Sequence, residues 1–257
     1  MLVPYLIWNL LVIISLIITG NFPYLPISTG WFDNVKYYLS AFVCFKQSGI
    51  PIAFQFWFIR DLLILNILSP IIYRLVKDNF LGTIWVSALL ILWIMFEKER
   101  PFLFNISAIT FYSIGAYLRV HHIGLDIIAN KVGHWGLIYP AFLLADCFSV
   151  GTEWHRLIHN LQILPGVLVL LRLAYLYVTN RPLHISGKLA SASFFVFAIH
   201  APWCLSISKK ILNIAGCPQG VLLYISIVCI SSLLGLSLYF IVKRFAPRTV
   251  SLLSGNR

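Results

Sequence analysis

The chain has 257 residues, of which 60% are hydrophobic, 15% aromatic and only 11% charged, with a mean hydropathy of +0.89. A soluble domain typically carries about 25% charged residues, so this composition excludes a soluble enzyme, a disordered chain and a disulfide-stapled secreted module. The net charge of +11 is spread in ones and twos between apolar runs, which excludes a nucleic-acid interface and points to contact with anionic headgroups.

Eight mostly apolar runs are long enough to cross a bilayer: residues 3–19, 54–76, 80–96, 102–120, 134–150, 157–178, 189–207 and 220–242. In lipid such runs must be helical, because only a helix satisfies its own backbone hydrogen bonds. The fold class is therefore all-α, a polytopic transmembrane bundle of about eight spans forming a single domain over 1–257. The connection 20–53 is the long one, and its weaker apolar stretch from Tyr37 to Phe45 reads as interfacial. Trp31, Trp57, Trp135 and Trp154 fall near predicted ends, where aromatic belts sit. Lys and Arg number ten on the side shared by both termini and seven on the other, which places both ends in the cytoplasm. The first span starts at once, MLVPYLIWNLL, with no basic residue before Lys36. Without a charged n-region or a small-residue cleavage site it is not a signal peptide. The missing cytoplasmic anchor leads to the expectation that the natural chain starts further upstream.

An ionisable group in a span costs about 2.5–3.5 kcal/mol at the helix centre on insertion scales, so each needs a reason. The candidates are Arg60, Asp61, Asp146, His159, Arg172 and His200. Arg60 and Asp61 are adjacent, and neighbours on a helix point about 100° apart. They are not expected to neutralise each other face to face, so at least one should find a partner on another helix or a wet cavity. Trp57, one turn earlier, could cover Arg60 by a cation–π contact. His200 lies two residues before Pro202, which removes the bond to the Ala198 carbonyl and leaves an acceptor beside the imidazole. Ser193 shares its face but sits about 10 Å away, too far for a nucleophile–base dyad. His155 and His159 have the i,i+4 spacing of a metal-binding pair, but HRLIH lacks the intervening glutamate and no third ligand is apparent, so no metal site is assigned. His121 and His122 read as a solvated or headgroup-level loop. A pair between Asp146 and Arg172 on neighbouring spans is as good a reading as any functional one. The sequence holds no phosphate-cradling glycine loop and no GxSxG elbow.

Four strings carry a resemblance: VPYLIW in the first span, FWFIRDLLILNILSP in the second, SFFVFAIHAPW in the seventh and the tail KRFAPRTVSLLSGNR. In this order and spacing the chain resembles the membrane acyltransferase family 3, in its bacterial branch of O-acyltransferases acting on surface carbohydrates. The stretch 97–185 carries little of the likeness. The resemblance implies an enzyme of the bacterial inner membrane with about ten helices and no bound cofactor. It would move an acyl group, usually acetyl, from cytoplasmic acyl-CoA (acetyl-CoA) to a hydroxyl on a carbohydrate or lipid-linked glycan. It also implies that Arg60 and Asp61, at the family's polar pair, line the acceptor cavity, and that His200 supports it as the candidate catalytic histidine. Family members open with an arginine and, about ten residues later, a histidine that acts as base. An arginine cluster then leads into the VPY segment, where this chain begins. Ten helices less two gives the eight counted, and the expectation is a shortened copy, inactive if Met1 is its natural start. The rival reading is a transporter or flippase of an acyl group or glycan, for which buried charges would serve equally. Paired broken helices in an inverted repeat would mark it, and none is visible.

Overall fold

A computed structural model describes residues 1–21, 30–44, 50–96, 105–133, 136, 138–180, 187–216 and 219–255. All regular structure among them is helical. The helices are α1 (Leu2–Ile18), α2 (Trp31–Val43), α3 (Trp57–Val76), α4 (Asn79–Phe96), α5 (Ile106–Val120), α6 (Leu125–Val132), α7 (Ile138–Ser149), α8 (His155–Asn180), α9 (Gly187–Ile199), α10 (Leu205–Ile214), α11 (Val221–Phe245) and α12 (Pro247–Ser254). Every apolar run picked out in the sequence holds one of them. Four stretches are long and apolar enough to cross a membrane: Phe54–Val76, His155–Thr179, Leu189–Ile214 and Val221–Phe245. At 1.5 Å per residue even the shortest of these reaches about 35 Å, against a hydrocarbon core of about 30 Å. Leu2–Ile18, Asn79–Met95, Ile106–Val120 and Ile138–Ser149 are shorter apolar helices.

The chain packs as two compact units, one from residues 1–63 and 185–257, the other from 64–184. In the first, Trp8, Phe56, Phe195, Ala198 and Tyr239 lie at the centre of a buried cluster built from α1, the 3-10 turn Phe54–Phe56, α9, α11 and α12. Edge-to-face contacts order its rings: Trp8 on Phe195 at 5.6 Å and Phe195 on Tyr239 at 5.7 Å. Gly235 lets α11 come close to α9, since a Cβ there would lie 3.1 Å from Val196 Cγ1. The Trp8 indole donates to the Leu253 carbonyl at 3.1 Å, which fixes α12 on α1.

The α9–α10 span is broken by a π-type turn, His200–Cys204. Pro202 has no N–H to give the helix, and its ring disfavours the α region for the residue before it. Ala201 accordingly leaves helical geometry, at φ −125° and ψ 140°. The helix resumes at Leu205.

In the second unit Leu65, Ile72 and Val76 of α3 bury against Trp85 of α4 and Tyr112 and Tyr117 of α5. Polar groups inside it find local partners: Trp85 donates to Ser113 Oγ at 3.2 Å, and Asn160 of α8 donates to the Trp93 carbonyl at 3.3 Å. His121 is not a solvated loop residue: its Nε2 lies 3.0 Å from the Val76 carbonyl and its ring rests on Tyr117.

Candidate functional site

The first unit buries an unusual number of polar side chains at one place. Arg60 and Asp61 are 5% and 1% exposed, Asn9 and Gln55 are 0% and 5%. Burial of such groups is tolerated only when each is paired, and the pairing explains the local architecture.

The last four carbonyls of any α-helix lack intrahelical donors. In α2 those of residues 40 to 43 are all taken. Ser40 accepts from Cys44 N–H at 2.8 Å and Ala41 from Ile52 N–H at 2.7 Å. The Tyr5 hydroxyl donates to the Phe42 carbonyl, and Arg60 Nη1 donates to that of Val43 at 2.8 Å. The guanidinium therefore sits at the partially negative end of a helix. Its Nε and Nη2 turn the other way and both donate to Asp61 Oδ1, the former at 2.9 Å.

This corrects the expectation that adjacent residues cannot neutralise each other. The 100° between neighbours applies to Cα–Cβ directions. The arginine stem is long enough to curl round the helix and bring its fork back to Asp61. The reach to another element also occurs, toward α2. The Trp57 ring meets Phe58 edge-on, with centroids 6.1 Å apart.

Asn9, one turn after Tyr5 on α1, donates to the Tyr5 carbonyl at 2.8 Å and accepts from Ala53 N–H at 3.2 Å. It holds the segment before the 3-10 turn against α1. Gln55, inside that turn, reaches the broken span. Its Nε2 donates to the carbonyls of Ala198 at 3.1 Å and Ala201 at 2.7 Å. The carbonyl freed by Pro202 is thus claimed by Gln55, not left as an acceptor for His200. Gln55 Oε1 is buried with no hydrogen-bond partner among the described residues.

His200 is half-buried at the break. Its Nδ1 lies 2.6 Å from the Phe197 carbonyl. A carbonyl only accepts, so Nδ1 carries a proton and the neutral ring keeps its lone pair on Nε2. A file of rings joins this histidine to the buried charges, Tyr5 to Phe56 at 6.0 Å, Phe56 to Phe197 at 5.7 Å and Phe197 to His200 at 5.8 Å. The structure thus brings Arg60, Asp61 and Tyr5 together around the end of α2 and sets His200 at the opposite end of an aromatic file.

A second polar cluster lies in the other unit, between α7 and α8. Asp146 Oδ2 accepts from Gln162 Nε2 at 2.7 Å and from His159 Nδ1 at 3.1 Å, and its Oδ1 lies 3.4 Å from His155 Nδ1. Ser149 Oγ stands 3.0 Å from the same His155 nitrogen. This replaces the pairing of Asp146 with Arg172, whose Nη1 donates to Asn130 at 3.2 Å. Two imidazoles one turn apart simply offer the carboxylate nearer donors. Among the described residues no group of three or more His, Cys, Asp or Glu is placed to hold a metal ion.

Tyr5, Asn9 and Gln55 are functional-site candidates that the sequence reading passes over. Asn9 left a signal, as an amide within the otherwise apolar LVPYLIWNLLVIISLII. Gln55 left a weaker one, between Phe54 and Phe56.

Residues 1–240 match the acyltransferase domain family, a stretch that contains every residue of the first polar cluster and His200. The chain is also similar to the succinoglycan biosynthesis protein ExoH of Rhizobium meliloti (strain 1021), at 25% identity over 266 aligned positions that cover all of this chain and 70% of that protein. No solved structure matches it. A match across nearly the full chain, with an all-helical fold holding four spans long enough for a bilayer, makes this protein a member of the acyltransferase domain family and an acyltransferase integral to a membrane.

Proposed function

We propose that this acyltransferase moves an acyl group, acetyl first among candidates, from acyl-CoA to a hydroxyl of a surface carbohydrate or lipid-linked sugar. We place it in the bacterial inner membrane with both termini in the cytoplasm. The carbohydrate acceptor is supported by the likeness to a succinoglycan biosynthesis protein, and the orientation by the Lys and Arg count across alternate connections.

The observation that carries the reading is the 2.6 Å contact between His200 Nδ1 and the Phe197 carbonyl. With Nδ1–H committed to the Phe197 carbonyl, Nε2 is the atom able to take a proton from an acceptor hydroxyl. The freed oxygen attacks the thioester carbonyl, the tetrahedral intermediate collapses, and the C–S bond breaks. The departing CoA thiolate takes the proton back from Nε2. Nothing in this sequence needs a covalent enzyme intermediate or a bound cofactor. Gln55 Oε1, buried and unpartnered, supplies a hydrogen-bond acceptor one side chain from the break and suits a second sugar hydroxyl. Arg60 and Asp61 act as positioning residues: by tying α3 to the end of α2 they set the 3-10 turn that carries Gln55.

The test is transfer of radiolabelled acetyl from acetyl-CoA into envelope carbohydrate by membranes containing the full chain. His200→Gln, which keeps a hydrogen-bonding side chain but no titratable nitrogen, should lower transfer by about 10²-fold or more. Arg60→Ala should lower it greatly while the protein still inserts. Undiminished transfer by His200→Gln would remove the histidine from the chemistry. A chain that inserts and yet transfers no label to any carbohydrate fraction would sink the whole reading.

A further inference from the structure

The first unit has an apolar groove of about 520 Å³ that plays no part in the polar site. Trp8, Ile14, Phe195, Trp203 and Val242 line it, with Thr19 at one end. Both indole N–H groups are already spent, Trp8 on the Leu253 carbonyl and Trp203 on Ser15 Oγ, each at 3.1 Å. The tryptophans therefore show the groove only their apolar rings. From Trp8 to Thr19 helix α1 rises about 16 Å, close to the roughly 15 Å of hydrocarbon in one leaflet, half the bilayer core. Two of its walls, the α9–α10 span and α11, are long and apolar enough to cross the membrane. An apolar trough of that length on such walls fits one lipid tail.

Its charged end says which lipid. Val242 lines the groove, and Lys243 and Arg244 follow it directly; Leu253 lines it from α12, which begins with Pro247 and Arg248. Lys243, Arg244 and Arg248 are all exposed, and Lys243 Nζ spends one of its three donors on the Tyr239 hydroxyl at 2.9 Å. No Asp or Glu follows Glu153 anywhere in the sequence, so no neighbour on α9 to α12 offsets these cations. Cations that follow the groove-lining residue of α11 and open α12, with no carboxylate on these helices, are an arrangement that selects a headgroup of net negative charge.

We propose that this groove is a binding site for one anionic membrane phospholipid, its tail along α1 and its phosphate at Lys243, Arg244 and Arg248. The site is separate from the acyl-transfer reading and stands or falls without it.

Native mass spectrometry of the purified full chain, titrated with phosphatidylglycerol or phosphatidylcholine of equal tails, tests it. The first phosphatidylglycerol should bind at least about tenfold more tightly than phosphatidylcholine. The triple change Lys243→Gln, Arg244→Gln, Arg248→Gln should bring the two lipids level. Ile14→Trp, which fills the groove from an exposed position, should weaken both, and six-carbon tails should do the same in the unaltered protein. Equal binding of the two headgroups by the unaltered protein would overturn the proposal. So would a preference that survives the triple change, or indifference to tail length, which would mean adhesion of headgroups only.

Discussion

Asp61→Asn should destabilise the first unit far more than its change of one atom suggests. The Arg60 guanidinium stays 5% exposed, but its counter-charge 2.9 Å away is gone. At an effective dielectric near 20, unit charges at that separation attract by about 5–6 kcal/mol. An asparagine oxygen can still accept, so part of the hydrogen bonding survives. The net loss should be about 3–5 kcal/mol, the usual cost of leaving one buried ion alone. Arg60→Met should cost a similar amount, by taking from the buried carboxylate the two donations of the guanidinium. The double change Arg60→Met, Asp61→Leu removes both charges and deprives the Val43 carbonyl of its donor, at about 1–3 kcal/mol. The two sites are therefore strongly coupled, by about 3 kcal/mol or more. Reversible unfolding in mixed micelles, followed by tryptophan fluorescence, gives all four corners of the cycle. Additive costs, with the double variant as unstable as the sum of the singles, would refute the idea that the two charges serve each other. The double variant also tests the positioning role: folded and inactive, it would show that transfer needs the tie between α3 and α2 that Arg60 makes to the Val43 carbonyl.

Three further outcomes follow from the packing. Gln55→Met strands the Ala198 and Ala201 carbonyls and should cost about 2–4 kcal/mol, with faster amide exchange confined to residues 196–205 in hydrogen-exchange mass spectrometry. Gly235→Leu forces a side chain into the Val196 contact and should lower stability by about 1–3 kcal/mol, whereas Gly235→Ala should cost less because Val196 can shift; thermal unfolding ranks the two. Asp146→Leu should cost about 1–3 kcal/mol, since the buried Gln162 loses its acceptor while His155 and His159, 37% and 51% exposed, turn to solvent; a loss as large as that of Asp61→Asn would contradict the burial argument.

The sequence reading succeeds where a single physical demand dominates. Apolar length fixed all eight helical runs because backbone bonds have nowhere else to go in lipid. It overlooked α6 and α12 and cut α2 short, because these are brief amphipathic helices whose polar faces break any search for long apolar runs. It stopped the seventh span at residue 207, where Lys209 and Lys210 begin, but the helix continues to Ile214 with those lysines on its exposed side. Charge alone does not end a helix.

The site was half legible for a related reason. Charged residues in a span announce themselves through their insertion cost, so Arg60, Asp61 and His200 could be found without a fold. Which carbonyl Arg60 and His200 would meet could not, because the acceptors are the main-chain oxygens of Val43 and Phe197. They become available only when α2 ends at Val43 and when Pro202 breaks its span. Both events create orphan oxygens, and the chain answers with neutral side chains that carry little insertion signal: Tyr5 for Phe42, Gln55 for Ala198 and Ala201. A reading confined to ionisable groups sees the charges and misses the amides that hold the helix breaks together. Helix breaks in lipid should therefore be searched together with every Asn and Gln of the spans, because a carbonyl released inside a bilayer needs a donor and water is not there to supply it.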